Sequence, residues 1–319
     1  MTRSRMASVA VLWAVASLIG SGQEYRAARN AVCAPGPVQT VLQVDGWFEG
    51  IATAPNGNIF TSDQESLNVF RITPEGHVSL FAHLFDLDNP DAVWAGALGM
   101  TFSADGALWI NMLDFWDGSH HGVFRVAKDG SSELAIPLNV NEVPVPNGLV
   151  FDPRGNLYIA ESFTGSIWKV ARHERVATLW LQHELLAPLP TGWIGANGIV
   201  FKNGALYVAS SDQGKVVRIP VKKDGAPGEP VVFASGLPFP DGLTLGPGDD
   251  IYAALAYVGQ LARLADDGTW EVLADMGIAT AASPVFGRGR EKDTAYITNF
   301  GTDGTTPTIV KVNLCDPLR

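Results

Sequence analysis

The chain has 319 residues, 46% of them hydrophobic and 17% charged, which is enough to bury a sizeable core and excludes the composition of a disordered segment. A formal net charge of -11, with no basic stripe, argues against a nucleic-acid partner, because phosphate contacts need clustered Lys and Arg. The 34 glycines and 20 prolines, spread along the chain, favour many short elements joined by tight turns and lean toward an all-β fold.

Residues 1–22 carry Arg3 and Arg5, an apolar run from Met6 to Ile19, and the small residues Gly20, Ser21 and Gly22. This is the shape of a secretory signal peptide and is short for a stable membrane span, so a secreted or periplasmic protein is expected, with an uncleaved anchor as the alternative. Residues 23–37 read as a lead-in, and residues 38–319 as the folded domain. Cys33 and Cys315 are the 2 cysteines of the chain and lie near its two ends. Export makes a disulfide between them the expected state, which requires the ends to be neighbours, while two separate buried thiols are the other reading.

From residue 38 onward one pattern recurs. Glu49-Gly50-Ile51, Leu98-Gly99-Met100, Asn147-Gly148-Leu149, Asn197-Gly198-Ile199 and Asp241-Gly242-Leu243 each open an apolar strand, and Ala282-Ser283-Pro284 is a degraded sixth copy. The positions 49, 98, 147, 197, 241 and 282 are spaced 41 to 50 residues apart, the period of a propeller blade. Each unit continues through a turn pair (Asn56-Gly57, Asp105-Gly106, Arg154-Gly155, Asn203-Gly204, Gly248-Asp249) into a second strand such as Asn156-Leu157-Tyr158-Ile159. An alternating third strand follows, as in Lys215-Val216-Val217-Arg218-Ile219, and in most units a fourth, such as His77 to Phe81. The sixth unit lacks its outer strand after Leu314, and the unclaimed run Val38 to Leu42 is expected to supply it. The prediction is a six-bladed β-propeller with four-stranded blades, its ring closed by an N-terminal strand in the last blade, with Cys33 and Cys315 at the seam.

Segments inserted between blades carry Trp94, Trp116, Trp193 and Val145, more apolar surface than a solvated loop needs. They are expected to form an apolar rim around a central pocket, although packing over blade edges would explain them almost as well.

In a propeller the first strand of every blade lines the axis, so equal registers stand on one ring. Here the ring reads Glu49, Leu98, Asn147, Asn197, Asp241 and Ala282. Two carboxylates and two amides in a channel neck repel one another and desolvate at a cost, and a cation resolves both. Oxygen donors from Glu, Asp and Asn suit a hard divalent ion, Ca²⁺ first among them, whereas zinc would call for His or Cys. An isolated Asn-Gly or Asp-Gly is ordinarily just a turn; the shared register is what points to a metal.

Phe48-Glu49-Gly50, Pro146-Asn147-Gly148-Leu149, Asn197-Gly198-Ile199, Pro240-Asp241-Gly242-Leu243 and Ser283-Pro284-Val285-Phe286-Gly287 together resemble the senescence-marker/gluconolactonase/luciferin-regenerating-enzyme family. Paraoxonases and strictosidine synthase share that propeller more distantly. The resemblance implies that Glu49, Asn197 and Asp241 ligate a divalent metal, that Asn147 is a further ligand or a substrate contact, and that the activity is hydrolysis of lactones and related esters. Val145 stands where sugar-lactone members often place an arginine, and Gly148 where they often place an acid, so a more apolar lactone or ester is expected.

The mechanism expected is metal-assisted hydrolysis, with Asp241 ahead of Glu49 as the general base. Glu161, Ser211, Asp212 and Asn299 are candidate relays, and His120, His121 and His183 candidate acids or bases at the rim. A cyclase, lyase or isomerase on the same propeller, or a non-catalytic binding propeller, are the competing readings.

Overall fold

The computed structural model describes residues 35–43, 46–86, 95–115, 117–301 and 308–314. The proposed signal segment, Cys33, Cys315, Trp94 and Trp116 lie outside them. Six antiparallel sheets of four strands each form the blades. Their inner strands are Phe48–Thr53, Ala95–Phe102, Pro146–Phe151, Ala196–Lys202, Pro240–Leu245 and Ala281–Phe286, and each touches the inner strand of both neighbours, so the ring is closed. Strand Gln39–Gln43 pairs with Thr308–Asn313 as the outer strand of the last blade, as the repeat count required.

The turn residues act where their chemistry placed them. Asn203 and Gly204 take φ of 49° and 75°, both positive as a two-residue hairpin turn demands. Third strands alternate faces, with Val216, Val217 and Ile219 buried while Lys215 and Arg218 stay half-exposed. Among the described residues the apolar core is divided into layers between successive blades. Phe60 and Leu108 belong to one such layer, Tyr252 and Ile297 to another, and Phe48, Tyr296 and Ile309 to the layer at the closing seam. Each blade is therefore stable only against its neighbours, which is the physical content of ring closure.

All six inner strands carry an irregularity at the same place. Ladder pairing skips from Phe48 to Ile51, Ala97 to Met100, Pro146 to Leu149, Ala196 to Ile199, Pro240 to Leu243 and Ala281 to Pro284. The two skipped residues oppose one partner, the count of a β-bulge, and a bulge re-aims a side chain. The skipped pairs are the six repeat pairs from Glu49-Gly50 to Ala282-Ser283.

The glycine of each pair has a steric reason. A Cβ on Gly50, Gly99, Gly148, Gly198 or Gly242 would fall 2.1 to 2.7 Å from the carbonyl oxygen of Leu98, Asn147, Asn197, Asp241 or Ala282, the first bulge residue of the next blade. Without side chains the backbones approach closely around the axis. Gly198→Ala, whose Cβ would meet Asp241 O at 2.4 Å and Leu243 N at 2.5 Å, is expected to cost about 1–3 kcal/mol or more, read as a lower denaturation midpoint.

The Gly36 N–H donates to Asn313 O at 2.9 Å, so a residue three after Cys33 and a residue two before Cys315 are hydrogen-bonded. A bond between the two cysteines predicts that reduction lowers stability by about 2–4 kcal/mol. An unchanged melting temperature under reductant counts against it.

Candidate functional site

The bulges deliver four polar side chains to one ring. Glu49, Asn147, Asn197 and Asp241 are 7%, 8%, 4% and 8% exposed, and Leu98 and Ala282 complete the circle as apolar members. Burial is the first cause that pushes the carboxyls of both Glu49 and Asp241 above their ordinary range. The Glu49 charge raises Asp241 further, while the Asn197 amide draws it back. Asp241 Oδ1 is buried without a hydrogen-bond partner. A buried, unpartnered carboxylate oxygen beside a second carboxylate is costly, and the donor set of two acids and two amides fits a hard divalent cation.

The amides are anchored by residues that sequence reasoning missed or assigned otherwise. Asn147 Nδ2 donates to Ser162 Oγ at 3.3 Å, and that hydroxyl donates to Ala196 O at 2.8 Å. Asn197 Nδ2 donates to Ser211 Oγ at 3.1 Å, and Ser211 donates to Pro240 O at 2.7 Å. Each serine thus ties an amide to the backbone of the next blade and fixes its rotamer. Ser211, a relay candidate in the sequence, anchors Asn197 in the structure. The signal was present, since a serine stands 15 residues after Asn147 and 14 after Asn197, whereas the acid-bearing blades have Gln64 and Ala256 at the equivalent turn position.

Three other relay candidates also brace loops. Glu161 accepts the N–H groups of Val145 at 3.1 Å, Phe163 at 2.9 Å and Thr164 at 2.7 Å. Asp212 accepts the Ile194 N–H at 3.1 Å, and Asn299 Oδ1 the Thr280 N–H at 3.1 Å. Each thus holds the chain by one N–H just before an inner strand, at Val145, Ile194 and Thr280.

The histidines divide. His121 is 1% exposed, accepts the Asp114 N–H at Nδ1 and donates from Nε2 to Val143 O at 2.8 Å, so it is a neutral structural residue. Burial holds its pKa below the usual value. His120 stacks on Phe85 at 3.9 Å, close to Asp114 and Asp117. His183 accepts the Leu185 N–H in its own loop.

Around the mouth above the ring the structure places aromatic pairs. Trp47 meets Phe300 at 5.0 Å, Phe163 meets Trp193 at 6.3 Å, and Phe239 meets Tyr257 at 4.8 Å. Of the expected rim residues, Trp193 is 73% exposed, and Val145 is buried with its N–H on Glu161. Trp47 and Phe239 immediately precede inner strands, Phe163, Tyr257 and Phe300 follow second strands, and none was named as a rim residue in the sequence. On the other side of the ring a cavity of about 240 Å³ runs down the axis past Thr53, Ile199 and Thr244 to Arg288.

Residues 179–301 match the family described as the SMP-30/gluconolactonase/LRE-like region, so the family resemblance drawn from the sequence holds. Lactonase drp35 of Staphylococcus aureus (strain MW2) is 24% identical over 230 residues, which cover 67% of this chain and 65% of the relative. The match thus spans just under two thirds of that relative's length. A gluconolactonase from Xanthomonas campestris superposes with a TM-score of 0.67 at 16% identity, covering 87% of this chain and 89% of that one. Regucalcin, a calcium-binding protein of Agrobacterium tumefaciens, superposes with a TM-score of 0.64 at 17% identity, covering 88% and 94%. At these identities the two structures share the fold.

The raised carboxyl of Glu49 carries a stability signature. Its folded pKa, about 7 against an ordinary 4.5, means that the folded state keeps a proton which the unfolded chain gives up, so stability falls as pH rises through that window. In protein stripped of divalent ions the melting temperature is expected to fall between about pH 4.5 and about pH 7. Adding a divalent cation at pH 8 should restore it, and Glu49→Gln should flatten the slope. A metal-free melt with no such slope would contradict the burial of an uncompensated Glu49 carboxyl.

Proposed function

We propose that this chain, whose propeller carries the SMP-30/gluconolactonase/LRE-like region, is an exported metal-dependent hydrolase of a lactone or related ester more apolar than a sugar lactone. The observation that carries the reading is the polar ring itself, with Asp241 Oδ1 left unpartnered beside Glu49. Glu49, Asn147, Asn197 and Asp241 would hold the ion, and Ca²⁺ is the choice that fits an all-oxygen donor set. A divalent cation bound there supplies Lewis acidity toward an ester carbonyl.

The protein's own residues have separate tasks. Asp241, held between Glu49 and Asn197, is the preferred general base for the attacking water. Ser162 and Ser211 keep the two amides in one orientation, so the ring does not reorganise during turnover. The aromatic pairs at the mouth supply apolar walls, and Val145 offers no charge for a sugar hydroxyl or carboxylate. The substrate is a small molecule, and the acidic chain offers nothing to nucleic acid. Among the described residues no helix is long and apolar enough to cross a membrane.

A panel of aliphatic and aromatic lactones and esters, run with and without EDTA, tests the reading. Hydrolysis that EDTA abolishes and Ca²⁺ restores is expected, with aromatic or aliphatic substrates preferred over hydroxylated ones. Asp241→Asn should lower kcat by at least about 100-fold while the protein stays folded. Full activity in that variant, or in EDTA, rules out the mechanism. A cyclase, lyase or isomerase would leave the whole panel untouched in a protein that still binds one divalent ion.

A further inference from the structure

Among four blades with matching turns after the second strand, one turn differs from the rest. In blades one, three, four and five the turn has equal length: Gln64 to Leu67, Ser162 to Gly165, Ser211 to Gly214 and Ala256 to Gly259. The last position has positive φ in all four, at 54°, 67°, 62° and 61°. The second position has positive φ only at Tyr257, where it is 57°, while Glu65, Phe163 and Asp212 avoid it. The Val258 N–H donates to Ala256 O at 2.7 Å, closing a three-residue γ-turn centred on Tyr257. The positive-φ form of that turn is rare and strained for a residue with a side chain.

Blade geometry alone does not impose this strain. In blades one and three a carboxylate, Asp63 or Glu161, braces the turn by accepting its N–H groups. Blade five has Leu255 there, but blade four has Ser210, and its turn stays relaxed. Nor does packing reward the strain at Tyr257, which is 65% exposed. Among the described residues its ring contact is Phe239, itself at φ 47° and two residues before Asp241. The backbone therefore places two strained aromatics together at the edge of the polar ring.

Tyr257 also differs chemically from the other aromatics of the mouth, since Trp47, Phe163, Trp193, Phe239 and Phe300 bear no hydroxyl. Partial desolvation, then the charges of Asp241, Asp212 and Glu49, push the ionisation of its phenol upward. That phenol is a hydrogen-bond donor at neutral pH, within electrostatic reach of both ring carboxylates.

We propose that Tyr257 is a substrate-contacting residue of the site, its ring and that of Phe239 forming an apolar wall over Asp241 and its hydroxyl donating a hydrogen bond to an oxygen of the bound ester or lactone. This rests on the hydrolase reading, and it assigns the wall to substrates whose acyl or alkoxy part is aromatic or otherwise apolar. The donor strengthens its hydrogen bond as charge builds on the substrate oxygen, which is an effect on turnover more than on binding.

The test uses the full chain, its divalent ion bound, with phenyl acetate, δ-valerolactone and dihydrocoumarin. Tyr257→Phe keeps the wall and removes the donor, so kcat is expected to fall on the order of 10- to 100-fold with KM little changed. Tyr257→Ala removes both, and KM should then rise more for dihydrocoumarin than for δ-valerolactone. Tyr257→Gly relieves the positive φ and should melt at or above the wild-type temperature while losing activity, which separates a substrate role from a structural one. Wild-type kcat and KM in Tyr257→Phe overturn the proposal and leave the hydrolase reading standing. A wild-type protein that hydrolyses none of the three substrates overturns both.

Discussion

Close approach of backbone to backbone around the axis is the constraint on which the rest of this structure depends. Six inner strands can meet only if the second residue of each bulge presents almost nothing to the strand beside it, and five of the six are glycine. The distances leave no room for a methyl group: a Cβ on Gly99 or Gly148 would sit 2.5 Å from a carbonyl oxygen of the next blade. Ser283 is the exception, and there the Ser283 N–H and the Glu49 carbonyl both bond to Thr298 Oγ1, at 2.9 and 2.7 Å. The bulge and the glycine work together, one turning a side chain toward the axis and the other bringing the backbones close enough for those side chains to meet.

That closeness generates the electrostatic problem at the centre. Glu49 and Asp241 come from blades far apart in sequence and are each desolvated, and the Glu49 charge adds to the cost of ionising Asp241. The surrounding groups do not neutralise them. The serines spend their protons on backbone carbonyls, and the acids and amides at the strand ends are used by loop N–H groups. Stability comes from the layers between blades, while the ring is left electrostatically incomplete. A site of that kind is stabilised by what binds it.

Strain is distributed in the same way. Positive φ at glycine is the ordinary currency of the hairpin turns, but Phe239 and Tyr257 adopt it as aromatics beside Asp241, with much of Tyr257 open to solvent. An unsatisfied oxygen, crowded charge and two aromatics at positive φ thus stand near one another in the structure, while Leu67, His173, Asn203 and Asp249 also take positive φ in other turns.

The architecture was legible in the residues because a propeller repeats itself. The turn pairs, the alternating third strands and the register of Glu49, Asn147, Asn197 and Asp241 are local patterns, and repetition turned them into blade count, ring closure and ring membership. The glycines were legible as punctuation but not as spacers, since the clash they avoid lies with a residue some fifty positions away. Ser162 drew no reading, and Ser211, Glu161, Asp212 and Asn299 read as candidate relays, because the contacts that tie them to the backbone are set by tertiary structure. His121 read as a rim histidine until burial and two hydrogen bonds made it structural. Tyr257 carried no signal at all, because its φ and its neighbours Phe239 and Asp241 exist only in three dimensions. By itself the sequence determined the blades and which side chains stand on the ring; the tertiary structure decided which polar groups are already paired and which are left free to act, because pairing is set by contacts between blades that no single repeat contains.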